Sequence, residues 1–216
     1  FVAWWLNNIR ASLYGNSASA MWETPVAADF EFPVDMTPDG LFAAVGFGNV
    51  IKVFSTINQT LVWEKTTDGT VASLKLTADG TKIYVMENSP GGQDKANVRA
   101  YQIGQDDPIW TTSFVGTGVA FAASGDRSKL AFCQYPGAKK MFILEADGGE
   151  VIFNAFYRNQ SPPALSYDGK FIISGDYGGY AYLHEYNESA GTYHEKWNFK
   201  VGGGGTSAWE IGRAHV

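Results

Sequence analysis

The chain has one cysteine, Cys133, so no disulfide can close within it and no site of several thiolates can hold zinc. Set in the apolar stretch Leu130-Ala131-Phe132-Cys133, it reads as a small buried hydrophobe. There is no basic run. Lys and Arg total 16 against 22 Asp and Glu, a formal net charge of −6. Nucleic acid demands a basic face, so it is not an expected partner. No apolar stretch reaches the roughly 20 residues that a membrane-spanning helix needs. The longest candidate, Leu41 to Phe54, is interrupted by Gly46, Gly48, Asn49 and Lys52. The first residue is Phe1, with no signal-peptide pattern behind it.

Catalytic signatures are missing as well. No Gly-x-Ser-x-Gly nucleophile elbow occurs. Gly46-Phe47-Gly48 lacks the third glycine of a dinucleotide loop, and no lysine follows Gly202 to Gly205 as a phosphate loop requires. His184 and His194 fall on adjacent strands of one hairpin without a third ligand, and they read as solvated strand residues. Asp106-Asp107 reads as a solvated pair in a turn.

What the chain does have is apolar and aromatic residue, 45% and 15%, with 25 glycines and only 18% charge. That balance excludes disorder and fits short strands joined by tight turns. Two markers recur along it. The first is a turn: Thr37-Pro38-Asp39-Gly40, Thr77-Ala78-Asp79-Gly80, Ser124-Gly125-Asp126-Arg127 and Ser166-Tyr167-Asp168-Gly169. Its Asp positions lie 40, 47 and 42 residues apart. The second is an aromatic, Trp22, Trp63, Trp110, Phe153 and Trp197, spaced by 41, 47, 43 and 44. Both markers share the long interval of 47 residues, so that unit carries an insertion, placed at Asn88 to Asn97.

Around each turn the pattern predicts strands. Val34 and Met36, Leu74 and Leu76, Phe121 and Ala123, and Pro163 and Leu165 alternate ahead of it. Near-continuous apolar runs follow it at Leu41–Val45, Ile83–Met86, Leu130–Cys133 and Phe171–Ile173, as suits strands buried on both faces. Third strands are expected at Val50–Phe54, Val98–Ile103, Met141–Glu145 and Tyr180–Tyr186. Fourth strands are expected at Leu61–Lys65, Ile109–Phe114, Val151–Phe156 and Tyr193–Phe199. Asp accepts from amides ahead of it and Gly tolerates positive φ, so Arg127 in the glycine position predicts strain or another turn type. Each aromatic is expected to pack between neighbouring units.

Four antiparallel strands in 40 to 47 residues is the content of a propeller blade. The expected fold is all-β: a β-propeller fragment of four complete four-stranded antiparallel blades plus partial blades at both ends. The blades run over 33–67, 70–114, 117–157 and 161–200. Residues 1–24 form a partial blade (Phe1–Trp5, Ile9–Tyr14 and Ala20–Thr24), and 201–209 begin the next, so that 1–209 is one partial propeller. An open arc exposes two apolar faces, so further sequence is expected at one end or both. Ile211-Gly212-Arg213-Ala214-His215-Val216 resembles the translation of a sequencing adapter, so 210–216 is read as an adapter-derived tail that packs on nothing.

The repeat resembles the PQQ-like (quinoprotein-like) propellers. Leu61-Val62-Trp63-Glu64 and Pro108-Ile109-Trp110-Thr111 look like the Trp-bearing fourth strand of that family. Leu144-Glu145-Ala146-Asp147-Gly148-Gly149-Glu150-Val151-Ile152 resembles its turn into that strand. Ile83-Tyr84-Val85 resembles the YVTN propellers, and the spacing resembles WD repeats. The Trp-Asp and Gly-His dipeptides of WD repeats are absent, and so is the fuller Trp-docking motif of quinoprotein dehydrogenases. The resemblance implies architecture. The function expected is a non-catalytic scaffold that binds a protein, glycan or surface ligand. The alternatives are part of a PQQ-dependent dehydrogenase, with PQQ and calcium as cofactors, or of a YVTN-like lactonase. Either site would then lie partly in missing blades.

Recognition is expected on the loops between second and third strands, which vary most in length and content. They offer Asp94, Lys95, Tyr135, Asp176 and Tyr177, and tyrosine gives large contact area at low entropic cost. Three Asn-x-Ser/Thr triplets, at Asn58, Asn159 and Asn187, fall between strands as candidate glycan acceptors and point to a secreted or extracytoplasmic protein.

Overall fold

The computed structural model describes residues 9–14, 20–26, 33–90, 95–134, 140–156, 163–176 and 178–201; at 9–14, 20–26, 119–121 and 156 it describes the backbone. All of its regular structure is β. A hairpin joins β1 (Ile9–Tyr14) and β2 (Ala20–Val26). Four antiparallel four-stranded sheets follow, each paired in chain order. Unit I holds β3 (Val34–Met36), β4 (Phe42–Phe47), β5 (Val50–Ser55) and β6 (Thr60–Thr66). Unit II holds β7 (Thr70–Leu76), β8 (Lys82–Asn88), β9 (Lys95–Gln102) and β10 (Pro108–Val115). Unit III holds β11 (Gly118–Ala123), β12 (Lys129–Gln134), β13 (Lys140–Glu145) and β14 (Val151–Phe156). Unit IV holds β15 (Ala164–Leu165), β16 (Phe171–Gly175), β17 (Tyr180–Asn187) and β18 (Thr192–Lys200). The expected strands at Phe1–Trp5 and past Val201, and the tail, lie outside the described residues. Among the described residues no helix is long and apolar enough to cross a membrane.

The turn between first and second strands is built the same way four times. The Ser or Thr hydroxyl donates to the Asp two residues on, at 2.6 Å in every unit. The same carboxylate oxygen accepts from the backbone amide two residues further, at Leu41, Thr81, Ser128 and Lys170. The hydroxyl in turn accepts from the amide of Phe42, Lys82, Lys129 or Phe171, the next residue in each turn. Three turn groups are thereby satisfied by two side chains, each bond contributing about 1 kcal/mol. The residue after each Asp has positive φ, at Gly40 (73°), Gly80 (67°), Gly169 (66°) and Arg127 (61°). Arg127 therefore keeps the turn type that glycine makes elsewhere. It does so in a conformation that costs a side-chain-bearing residue about 1 kcal/mol.

The core lies between sheets, and units II and III give both faces to their neighbours. In β8, Ile83 and Val85 face unit I with Ile51, Val53 and Trp63, whereas Tyr84 and Met86 face unit III with Leu130 and Phe132. This is why the second strands read as unbroken apolar runs. Ala131, Cys133, Met141 and Ile143 of unit III meet Ile172 and Tyr193 of unit IV. Units I, II and III meet mainly through their first strands, β7 lying on β3 and β4 and β11 on β7 and β8, whereas units III and IV meet both at β11 and β15 and at β14 and β18. The Nη2 of Arg127 reaches Asp35 Oδ2, two units away, at 3.4 Å, and Lys75 of the intervening sheet lies 3.4 Å from the other oxygen. First strands of units I and II and the first turn of unit III thus converge on one ion cluster.

The recurring aromatics fill the same interfaces. Trp63 packs against Tyr101 with ring centroids 5.8 Å apart, and Phe153 lies 6.0 Å from Tyr193. Trp110 covers Gly149, where a Cβ would fall 2.4 Å from its ring, and donates its Nε1–H to Ala146 O at 3.1 Å. Only glycine admits so close an approach. The Trp22 side chain lies outside the described residues, and Trp197 is 41% exposed. Trp110→Ala is therefore expected to cost about 3–5 kcal/mol in urea unfolding, against at most about 1 kcal/mol for Trp197→Ala. Equal losses would contradict the interface role.

Candidate functional site

The two ends of the sheets differ in chemistry. At one end, between second and third strands, stand the residues expected to recognise a partner. Lys95 is exposed at the start of β9, and its carbonyl accepts from Ser89 N and Oγ, both at 2.9 Å. Asp176 is half-buried and shapes its own turn: Oδ1 accepts from Tyr180 N at 2.8 Å and Oδ2 from Tyr182 O–H at 3.0 Å. Burial and then Asp176 push the Tyr182 phenol up to about 12. Asp94, Tyr135 and Tyr177 lie outside the described residues. Of the candidate glycan acceptors, Asn58 is exposed in the β5–β6 turn and Asn187 in the β17–β18 turn, both at the opposite end; Asn159 lies outside the described residues.

The opposite end holds the four Asp turns. Hydroxyl and then amide donors keep Asp39, Asp79 and Asp168 below the usual carboxylate range. For Asp126 partial burial pulls upward, and bonds from Ser124 and Ser128 outweigh it. These carboxylates stay ionised at neutral pH, which suits them as acceptors and not as acids.

Between the turns of units II and III opens a cavity of about 400 Å³. Asp79 and Thr81 line one side, Asp126, Arg127 and Ser128 the other, and Lys82, Tyr84 and Asp147 complete it. Tyr84 is only 2% exposed, yet its hydroxyl has no hydrogen-bond partner among the described residues. Burial, then Asp147 and Asp79, push its phenol up to about 12, so it keeps its proton. The Nε of Arg127 is buried without a partner, and its guanidinium makes only the 3.4 Å ion pair with Asp35. Lys82 Nζ sits 3.5 Å from the almost fully exposed Asp147, a loose pair at the rim. The sequence marked Arg127 only as a departure from glycine and Tyr84 only as part of an apolar run. The one signal for this site was a charged side chain where three other turns place glycine.

Two buried ionisable groups escaped the sequence reading. His184, expected to be solvated, is fully buried and packs on Phe153 with ring centroids 5.3 Å apart; His194 is exposed. The cause is unit III, whose β14 covers that face of β17. Glu87 is 1% exposed between units I and II. It accepts from Tyr101 O–H at 3.2 Å and pairs with Arg99 Nη1 at 3.3 Å, while Arg99 Nη2 reaches Asp68 at 3.2 Å. Burial raises Glu87, and Arg99 and Tyr101 only partly oppose it. Among the described residues no group of three or more His, Cys, Asp or Glu is placed to hold a metal ion.

No family model and no curated protein matches the chain.

Burial lowers the His184 imidazole from 6.5 to about 4. The unfolded chain therefore takes up its proton first as pH falls. Stability from this group is complete above about pH 6.5 and is lost down to pH 4, by about 3 kcal/mol in all. Glu87 acts oppositely, giving stability as pH falls toward 4.5, and the turn carboxylates lose theirs only below 3.8. Urea unfolding at pH 7 and 4.5 should therefore show a smaller loss in His184→Leu than in the parent chain. Equal losses would contradict the buried neutral imidazole.

Proposed function

We propose that the four units are consecutive blades of a β-propeller of the quinoprotein-like class, and that the protein is a binding scaffold and not a catalyst. Three features support the architecture: sheets paired in chain order, contact among units I, II and III made mainly through first strands, and an ion cluster that joins the same three units. Trp110, docked on Gly149 and Ala146 of the next unit, supports the family. The observation that carries the functional reading is the cavity between two hydrogen-bonded turns, lined by five charged side chains and the Tyr84 phenol. Turn hydrogen bonds hold the carboxylates Asp79 and Asp126 as acceptors, a lining suited to holding a ligand, carbohydrate or protein, by hydrogen bonds.

The competing enzyme readings make a direct test. The protein expressed from its full transcript, supplied with PQQ and calcium, is expected to give no dye-linked alcohol oxidation and, in a separate assay, no lactone hydrolysis. Turnover in either assay that depends on the folded protein would overturn the scaffold reading.

A further inference from the structure

Resting on that scaffold reading, we infer that the cavity between the turns of units II and III is a saccharide subsite, with Arg127 and Tyr84 donating to ligand hydroxyl oxygens and Asp126 and Asp147 accepting from ligand O–H groups. A phenol 98% buried normally finds a partner within the protein, and the Tyr84 hydroxyl has none among the described residues. Its hydroxyl borders open space beside the Arg127 guanidinium. The chemistry of the lining selects the ligand. Two cations, Lys82 and Arg127, alternate with three carboxylates, Asp79, Asp126 and Asp147. An oxyanion would satisfy the cations but face excess negative charge, and an ammonium would face Arg127 and Lys82. A neutral polyol serves both, since each hydroxyl donates to one oxygen and accepts from one nitrogen. The volume of about 400 Å³ suits one or two sugar rings.

The conformation of Arg127 adds an independent argument. At φ 61° it occupies the place that Gly40, Gly80 and Gly169 take in the other turns. Glycine would relieve the backbone there, so a purely structural turn gains nothing from arginine except the distant ion pair to Asp35. The strained turn thereby keeps a guanidinium where it meets both Asp35 and the cavity lining.

Arg127→Gly restores the residue that this turn favours but also removes the ion pair to Asp35, so Asp147→Asn carries the comparison of fold with binding. The full chain, the Arg127→Gly variant and the Asp147→Asn variant are titrated with glucose, galactose, mannose and N-acetylglucosamine by saturation-transfer NMR, and with inorganic phosphate as a separate arm. Asp147 is 95% exposed and lies outside the Asp turns, so its variant retains the fold even if Arg127→Gly does not. The expected result is binding of at least one sugar to the parent chain, weakened roughly tenfold or more in both variants, with the melting temperature of Asp147→Asn unchanged. Sugar binding that survives both substitutions, binding of phosphate without sugar, or no binding by the parent chain would each overturn the assignment. The last of these, with no PQQ or lactone turnover, leaves the scaffold reading standing while this site falls.

Discussion

The hydrogen bond from a Ser or Thr hydroxyl to the Asp two residues on governs the arrangement of everything at one end of the molecule. It recurs at Thr37–Asp39, Thr77–Asp79, Ser124–Asp126 and Ser166–Asp168 with the same 2.6 Å length. Each carboxylate and each hydroxyl then takes a further backbone amide, so the turn is fixed without long side chains or a metal. Because the bond closes the first hairpin of each sheet, it also fixes where the first strand stops. Four first strands of fixed end-point, packed side by side, give a face whose geometry side-chain mobility cannot blur. Asp79, Asp126 and Arg127 stand around the cavity for that reason.

The second constraint is burial on both faces. A sheet whose second strand is Ile83-Tyr84-Val85-Met86 has no solvent side, so it must be sandwiched. Neighbouring sheets satisfy it by meeting through their first strands and filling the space between their outer strands with Trp63, Trp110 and Phe153. Polar groups caught in those interfaces need partners there. Glu87 obtains Arg99 and Tyr101 at the first interface, and His184 stays neutral at the third. The pH dependence expected of His184 and Glu87 follows from this stacking.

The turn pattern and the period were legible because they are local: Ser/Thr-x-Asp-Gly carries its own hydrogen-bond mechanism, and the apolar runs beside it mark the strands. Strand bounds followed closely, as at β14, expected and found over Val151–Phe156. The environment of His184 was not legible. The run Tyr180-Ala181-Tyr182-Leu183-His184 alternates in a way that suits one solvated face, and only the neighbouring sheet makes that face interior. The cavity escaped for a related reason. Tyr84 looks like core and is core except for its hydroxyl, and the approach of Arg127 to Asp35 joins residues that sequence spacing does not connect. Of the expected partner residues, Lys95 and Asp176 are placed. Asp176 serves its own turn, a role that the Asp176-Tyr177-Gly178-Gly179 stretch carries in its composition.

The central claim is that the sheets fan outward from converging first strands. Spin labels read it directly, since buried Cys133 is shielded from labelling. One pair is placed on the exposed first turns of units I and IV, at Pro38→Cys and Tyr167→Cys. The other is placed on their exposed third-to-fourth-strand turns, at Asn58→Cys and Glu188→Cys. Pulsed electron–electron resonance should give a clearly shorter distance for the first pair than for the second. Equal distances would mean a flat stack of parallel sheets and would contradict the account.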